Sequence, residues 1–132
     1  MKKQAIHIEH DLHSRSANVI WNLLSSAEGL AIWIADEVQR EGNKLVLTWG
    51  EVWNHHEVRK ATVNSYMRND YIRYVWKDDT DKKAYWELKI VRSEITGDYI
   101  LIITDFAEED DQETLYDLWE TNLDRLHHAT GL

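Results

Sequence analysis

Tyr99-Ile100-Leu101-Ile102-Ile103-Thr104, followed by Asp105-Phe106-Ala107-Glu108-Glu109-Asp110-Asp111, decides the fold together with the run that places Leu115, Leu118, Trp119, Asn122, Leu123 and Leu126 on one side. The first piece reads as a hydrophobic strand and the second as an acidic turn. The third is a long helix, because its apolar residues recur at offsets of three and four, as a helix lying on a sheet requires. A sheet wrapped around a C-terminal helix follows, an α+β shape able to enclose a pocket. Carboxylates in the turn suit the positive end of a helix dipole, each stabilising by roughly 0.3 to 1 kcal/mol. They need no docking partner to explain them.

Working outward, the chain before this stretch reads as strands and two short helices. Ile6, Ile8, His10 and Leu12 alternate with His7, Glu9, Asp11 and His13, which predicts a half-buried first strand. Ser14 or Ser16 offers a helix N-cap ahead of Val19, Ile20, Leu23 and Leu24. Ser25-Ser26 interrupts, and residues 27–34 form a second short helix that Gly29 weakens. From Asp36 the texture turns to strands. Leu45, Leu47 and Trp49 alternate with Val46 and Thr48, and further strands are expected at 56–64, 71–77 and 85–91. The expected order is β-α-α-β6-α, an antiparallel meander with short turns. In two of these strands Tyr74, Trp76 and Trp86 share the face the last helix should cover, while Arg73 and Glu87 lie outside, available for a cross-strand contact. The 99–104 strand is apolar on both sides, so it should be central or covered on its outer face, for instance by a second subunit.

Composition bounds the function. A chain of 132 residues fits one domain over residues 1–132 and buries roughly two thirds of its unfolded surface. There is no cysteine and hence no thiolate metal site or disulfide. No apolar run approaches the ~20 residues of a membrane span, and charged and polar residues from His7 to Asp11 interrupt any leader-like start. A cytoplasmic protein is expected. A net charge of −9 argues against a nucleic-acid partner or an anionic membrane surface, which both need a basic patch. Seven Trp and six Tyr stand beside one Phe, and such side chains suit core edges, pocket walls and interfaces because each joins a large apolar body to a polar tip.

Three stretches carry a family resemblance. Glu28-Gly29-Leu30-Ala31-Ile32-Trp33-Ile34-Ala35 resembles a segment of the branch related to the activator of the heat-shock chaperone ATPase. Residues 94–98 with 103–110 resemble the closing strand and helix start of small bacterial START-like proteins. Residues 118–123, Leu118-Trp119-Glu120-Thr121-Asn122-Leu123, resemble their gripping helix. The chain therefore resembles the START-like helix-grip (SRPBCC) superfamily along its whole length. The resemblance implies a cavity between sheet and last helix, commonly used for apolar small molecules or lipids. Some relatives act as polyketide cyclases and others as chaperone partners, so the fold alone names no function.

Metal chemistry finds little support. His55-His56 and His127-His128 are adjacent pairs whose side chains diverge. His7, Glu9, Asp11 and His13 share a strand face, but such a row is more often simply solvated. The H-E-x-x-H pattern that starts at His56 fails at Lys60, and no P-loop, G-x-G-x-x-G or G-x-S-x-G occurs. No cofactor, metal or catalytic residue is assigned. The expected function is non-enzymatic binding of an apolar or amphipathic, lipid-like or polyketide-like molecule. Its site would comprise Trp33, Trp49, Tyr74, Trp76, Trp86, Trp119, Asn122 and His10. A satisfied core histidine is the simpler account of His10. The alternative is a protein-interaction module, chaperone-partner-like or homodimeric, with a filled core. A cyclase or hydrolase would need a polar residue of perturbed pKa inside the cavity, for which only His10, His55 and a few carboxylates are available.

Overall fold

The computed structural model describes residues 2–50 and 56–132. Its elements are β1 (Gln4–Asp11), α1 (Ala17–Ser25), α2 (Ala27–Trp33), β2 (Glu37–Glu41), β3 (Lys44–Gly50), β4 (His56–Met67), β5 (Tyr71–Trp76), β6 (Trp86–Arg92), β7 (Tyr99–Ala107) and α3 (Gln112–Thr130), with a 3-10 turn at Glu109–Asp111. All strands are antiparallel neighbours in one sheet of order β1-β7-β6-β5-β4-β3-β2. This is the meander expected from the short turns, closed by the first strand returning to pair with the last. The helices cover one face, giving the α+β helix-grip architecture.

Local chemistry explains where elements begin. The Ser16 hydroxyl accepts the Val19 amide and caps α1, while the Ser26 hydroxyl accepts the Gly29 amide at 2.9 Å and caps α2. Gly29 is demanded by packing: a Cβ there would lie 2.0 Å from the Asn22 carbonyl oxygen. The residue that weakens α2 by propensity is the one that lets it cross α1 closely.

Strand β7 is interior, between β1 and β6. On its outer face Ile102 is flanked in register by Glu9 and Lys89, and Ile100 by Asp11 and Val91. Arg73 sits opposite Glu87 in register, and its Nη2 donates to Glu87 at 3.0 Å. One boundary moves. Pairing with β1 extends β7 through Asp105, Phe106 and Ala107, opposite Ile6, Ala5 and Gln4. The acidic turn therefore starts only at Glu108, because ladder bonds to a seventh strand outweigh the low strand propensity of Asp105.

The core lies between the sheet's concave face and the helices, with Trp33, Tyr74, Trp86, Leu88, Leu101 and Ile103 essentially inaccessible. The polar tips of Trp33 and Tyr74 are consumed by the backbone. Trp33 Nε1 donates to the Leu23 carbonyl at 2.9 Å and the Tyr74 hydroxyl to the Leu24 carbonyl at 2.6 Å. These bonds tie the sheet and α2 to the end of α1. Among the described residues no helix is long and apolar enough to cross a membrane.

Candidate functional site

Strand alternation places Trp49 on β3, Glu57 and Arg59 on β4, Trp76 on β5, Trp86 on β6 and Asp105 on β7 on the face that α3 covers. Where α3 leaves this face, a cleft of about 400 Å³ remains. Its wall on the helix side is Leu115, Leu118, Trp119 and Asn122; its sheet side is the row just named, with Ile34 and Phe106 at the margins and Lys3 and Asp79 at one end. A larger hollow of about 800 Å³ runs among Lys44, Val46, Lys60 and Lys77. Its lysines are all exposed to solvent, so no buried polar group there awaits a partner.

Five tryptophans form one continuous file. Ring centroids stand 6.2 Å apart for Trp49 and Trp76, 5.2 Å for Trp76 and Trp86, 6.2 Å for Trp86 and Trp119, and 6.0 Å for Trp119 and Trp33. Tyr74 stacks on Trp86 at 4.2 Å. Such offset and tilted pairs are the favoured aromatic geometries. The Arg59 guanidinium lies 3.9 Å from the Trp76 ring centre and donates to Asp78 at 2.7 Å, a cation–π contact backed by an ion pair. That guanidinium also holds the Asp78 carboxyl below the usual range.

Polar groups at the cleft fall into two sets. Trp49 Nε1 donates to the Ile34 carbonyl at 2.8 Å. Trp119 Nε1 donates to Asp105 at 2.9 Å, and the Phe106 amide donates to the other Asp105 oxygen at 2.7 Å. Lys3 Nζ bonds Asp79 at 3.0 Å. Against these, the Trp86 N–H is buried and unpaired among the described residues. The Asn122 side chain is 5% exposed, lines the cleft, and has no hydrogen-bond partner among the described residues. Leaving the Trp86 N–H dry and unpaired costs about 1 to 3 kcal/mol. Asp105 is the most perturbed acid of the site. Burial pushes its carboxyl up to about 6, against the hydrogen bonds from Trp119 and Phe106 and the charges of Lys3 and Arg59, which all pull it down.

Of the eight residues expected at the site, the structure brings Trp49, Trp76, Trp86, Trp119 and Asn122 together on the cleft. Trp33 and Tyr74 stand behind them in the aromatic file. His10 lies elsewhere: its Nε2 is 3.1 Å from the Leu132 carbonyl oxygen. His55 lies outside the described residues. Asp105, Glu57 and Arg59 are cleft residues that pattern reading missed. The signal was there: Leu101, Ile103 and Asp105 alternate, as do Glu57, Arg59, Ala61 and Val63.

A sheet of seven antiparallel strands gripping a C-terminal helix, with an aromatic cleft beneath that helix, defines a helix-grip protein. The chain belongs to the START-like superfamily: the model of the START-like superfamily domain matches residues 1–132. The solution structure of a protein from Bacteroides fragilis is 36% identical, covering 97% of this chain and 91% of that one at a TM-score of 0.65. An AHSA1-like protein from Aeromonas hydrophila superposes with a TM-score of 0.72 at 14% identity, covering 97% and 94% of the two chains. A protein described as the Aha1 dimer from Colwellia psychrerythraea gives 0.72 at 13% identity, covering 97% and 98%. No protein of curated function matches this chain significantly. The fold is compatible with ligand binding and with protein interaction.

Proposed function

We propose that this protein binds an apolar or amphipathic small molecule in the cleft between α3 and the sheet, without catalysing its conversion. The observation that carries this reading is the buried, unpaired N–H of Trp86, a residue that lines an aromatic cleft of about 400 Å³. A filled core satisfies its polar tips, as Trp33 and Tyr74 do. A binding site holds polar atoms ready for an occupant at the bottom of an apolar hollow. Titrating a panel of fatty acids, sterols and planar aromatic ketones while following tryptophan emission tests it. At least one class should shift emission and raise Tm with concentration. A panel that leaves both unchanged would remove the reading.

A second reading, an interaction module or homodimer, rests on Tyr116 and Leu118, apolar side chains of α3 that are 39% and 49% exposed. Sedimentation equilibrium separates the two. A dimer that Tyr116→Arg abolishes would move the function from the cleft to this helix surface; a monomer indifferent to that change supports the cleft.

A further inference from the structure

The charged groups around the cleft are unequally paired. On the basic side, Lys3 is held by Asp79 and Arg59 by Asp78, so both cations are neutralised within the protein. On the acidic side, Glu57 forms no ion pair among the described residues and Asp105 touches only neutral donors, the Trp119 indole and its neighbouring amide. Helix α3 contributes no charged residue to the lining. The lining, Lys3 and Arg59 against Glu57, Asp79 and Asp105, therefore sums to one negative charge when Asp105 is ionised, and Asp78, paired to Arg59 outside the lining, adds a second beside the wall of indole faces. One of these faces, that of Trp76, already accepts a guanidinium at 3.9 Å.

We infer that the occupant is an organic ammonium: an apolar body lying along Trp76, Trp86 and Trp119, with its charged nitrogen directed to Asp105 and Glu57. This deepens the small-molecule reading and rests on it. The ammonium supplies what the fold withholds from Asp105, a cationic hydrogen-bond donor, and indole faces attract the same charge through the ring quadrupole. A carboxylate ligand meets the opposite situation, since its charge adds to an uncompensated negative field. The Asn122 amide on the helix wall can take an oxygen acceptor on the same molecule.

Asp105 also gives the site a pH signature. Its carboxyl, raised by burial to about 6, is neutral in acid and anionic at alkaline pH. Ammonium binding should therefore strengthen as pH rises through that value, while binding of a neutral analogue stays flat. Lys3, Arg59, Glu57 and Asp79 are the other charged groups lining the cleft.

The test uses phenylbutylammonium, phenylbutanol and phenylbutyrate, which share one apolar body and differ in charge, titrated into the full chain by calorimetry near pH 8 and near pH 5. At the higher pH the ammonium should bind about tenfold more tightly than the alcohol, with the carboxylate weakest, and at the lower pH that advantage should shrink severalfold. Asp105→Asn should erase about tenfold of ammonium affinity and leave the alcohol within about twofold. Because Asp105→Asn can also perturb Trp119, Glu57→Gln at the exposed mouth serves as the second variant and should cost the ammonium about threefold. Equal or tighter binding of the alcohol or carboxylate overturns the inference while leaving a small-molecule site in place. Failure of all three to bind at either pH overturns the cleft reading as well.

Discussion

The two halves of the concave face use the same side chains to opposite ends. Beneath α1 and α2, Trp33 and Tyr74 are essentially inaccessible and each gives its polar hydrogen to a backbone carbonyl at the end of α1. Beneath α3, Trp86 is just as inaccessible but its N–H meets no acceptor among the described residues, and the Asp105 carboxyl of the same cleft is buried with only neutral hydrogen-bond donors. Burial alone does not distinguish a filler from a wall. The partner of the polar tip does, because an interior that is finished by folding leaves few donors unspent.

The largest expected effect lies in the finished half. Gly29→Ala should destabilise by about 3 kcal/mol or more, since the new methyl meets the backbone of Asn22 and Leu23 rather than a movable side chain. Denaturant unfolding measures it, and a loss below about 1 kcal/mol would show that the two helices separate easily. Next in size is the pH response of the unfinished half. The folded Asp105 carboxyl sits at about 6, above its unfolded value of 3.8, so the folded state holds the proton more tightly. The stability linked to it is complete below the unfolded value and is lost as pH rises through about 6, amounting to about 3 kcal/mol. Wild type minus Asp105→Asn, followed in urea from acid to neutral pH, should show that slope; parallel curves would contradict it.

Tyr74→Phe should cost about 1 to 2 kcal/mol, because the Leu24 carbonyl loses a side-chain donor in a buried place. The smallest effect belongs to Leu118→Ala. With 49% of Leu118 exposed, thermal unfolding should shift by less than about 1 kcal/mol equivalent. A larger loss would mean that α3 is held by its outer apolar residues as much as by Trp119, Leu123 and Leu126.

Sequence pattern carried the fold because each strand is short, alternating and joined to its neighbour by a tight turn, so period and spacing sufficed. It carried the tryptophan and Asn122 part of the cleft for the same reason: Trp76 and Trp86 alternate with charged residues, and Asn122 falls on the apolar stripe. It failed at Asp105, whose surroundings are set by β1, about a hundred residues away in the chain. Local composition reads Asp105 as the first of an acidic turn; the register opposite Ile6 is what carries the Leu101 and Ile103 alternation on through it and turns it inward. His10 failed differently. Its place on the apolar face of the first strand was legible, but its partner is the Leu132 carbonyl at the far end of the chain, and no local pattern encodes that contact.

The pairing of β1 with β7 has a kinetic side. Every other strand pair joins chain neighbours, whereas Gln4 must find Ala107 and Asp11 must find Ile100. Closing so long a loop is the dearest entropic step in this topology, and sheets dominated by such contacts fold slowly. Until it happens, β7 is an open edge with apolar residues on both faces, the kind of surface that invites pairing with another chain. The same docking brings Lys3 to the end of the cleft and fixes the inward turn of Asp105. In pulsed hydrogen exchange the β1 amides should gain protection after those of β3 to β6, and competence to bind should arrive with them.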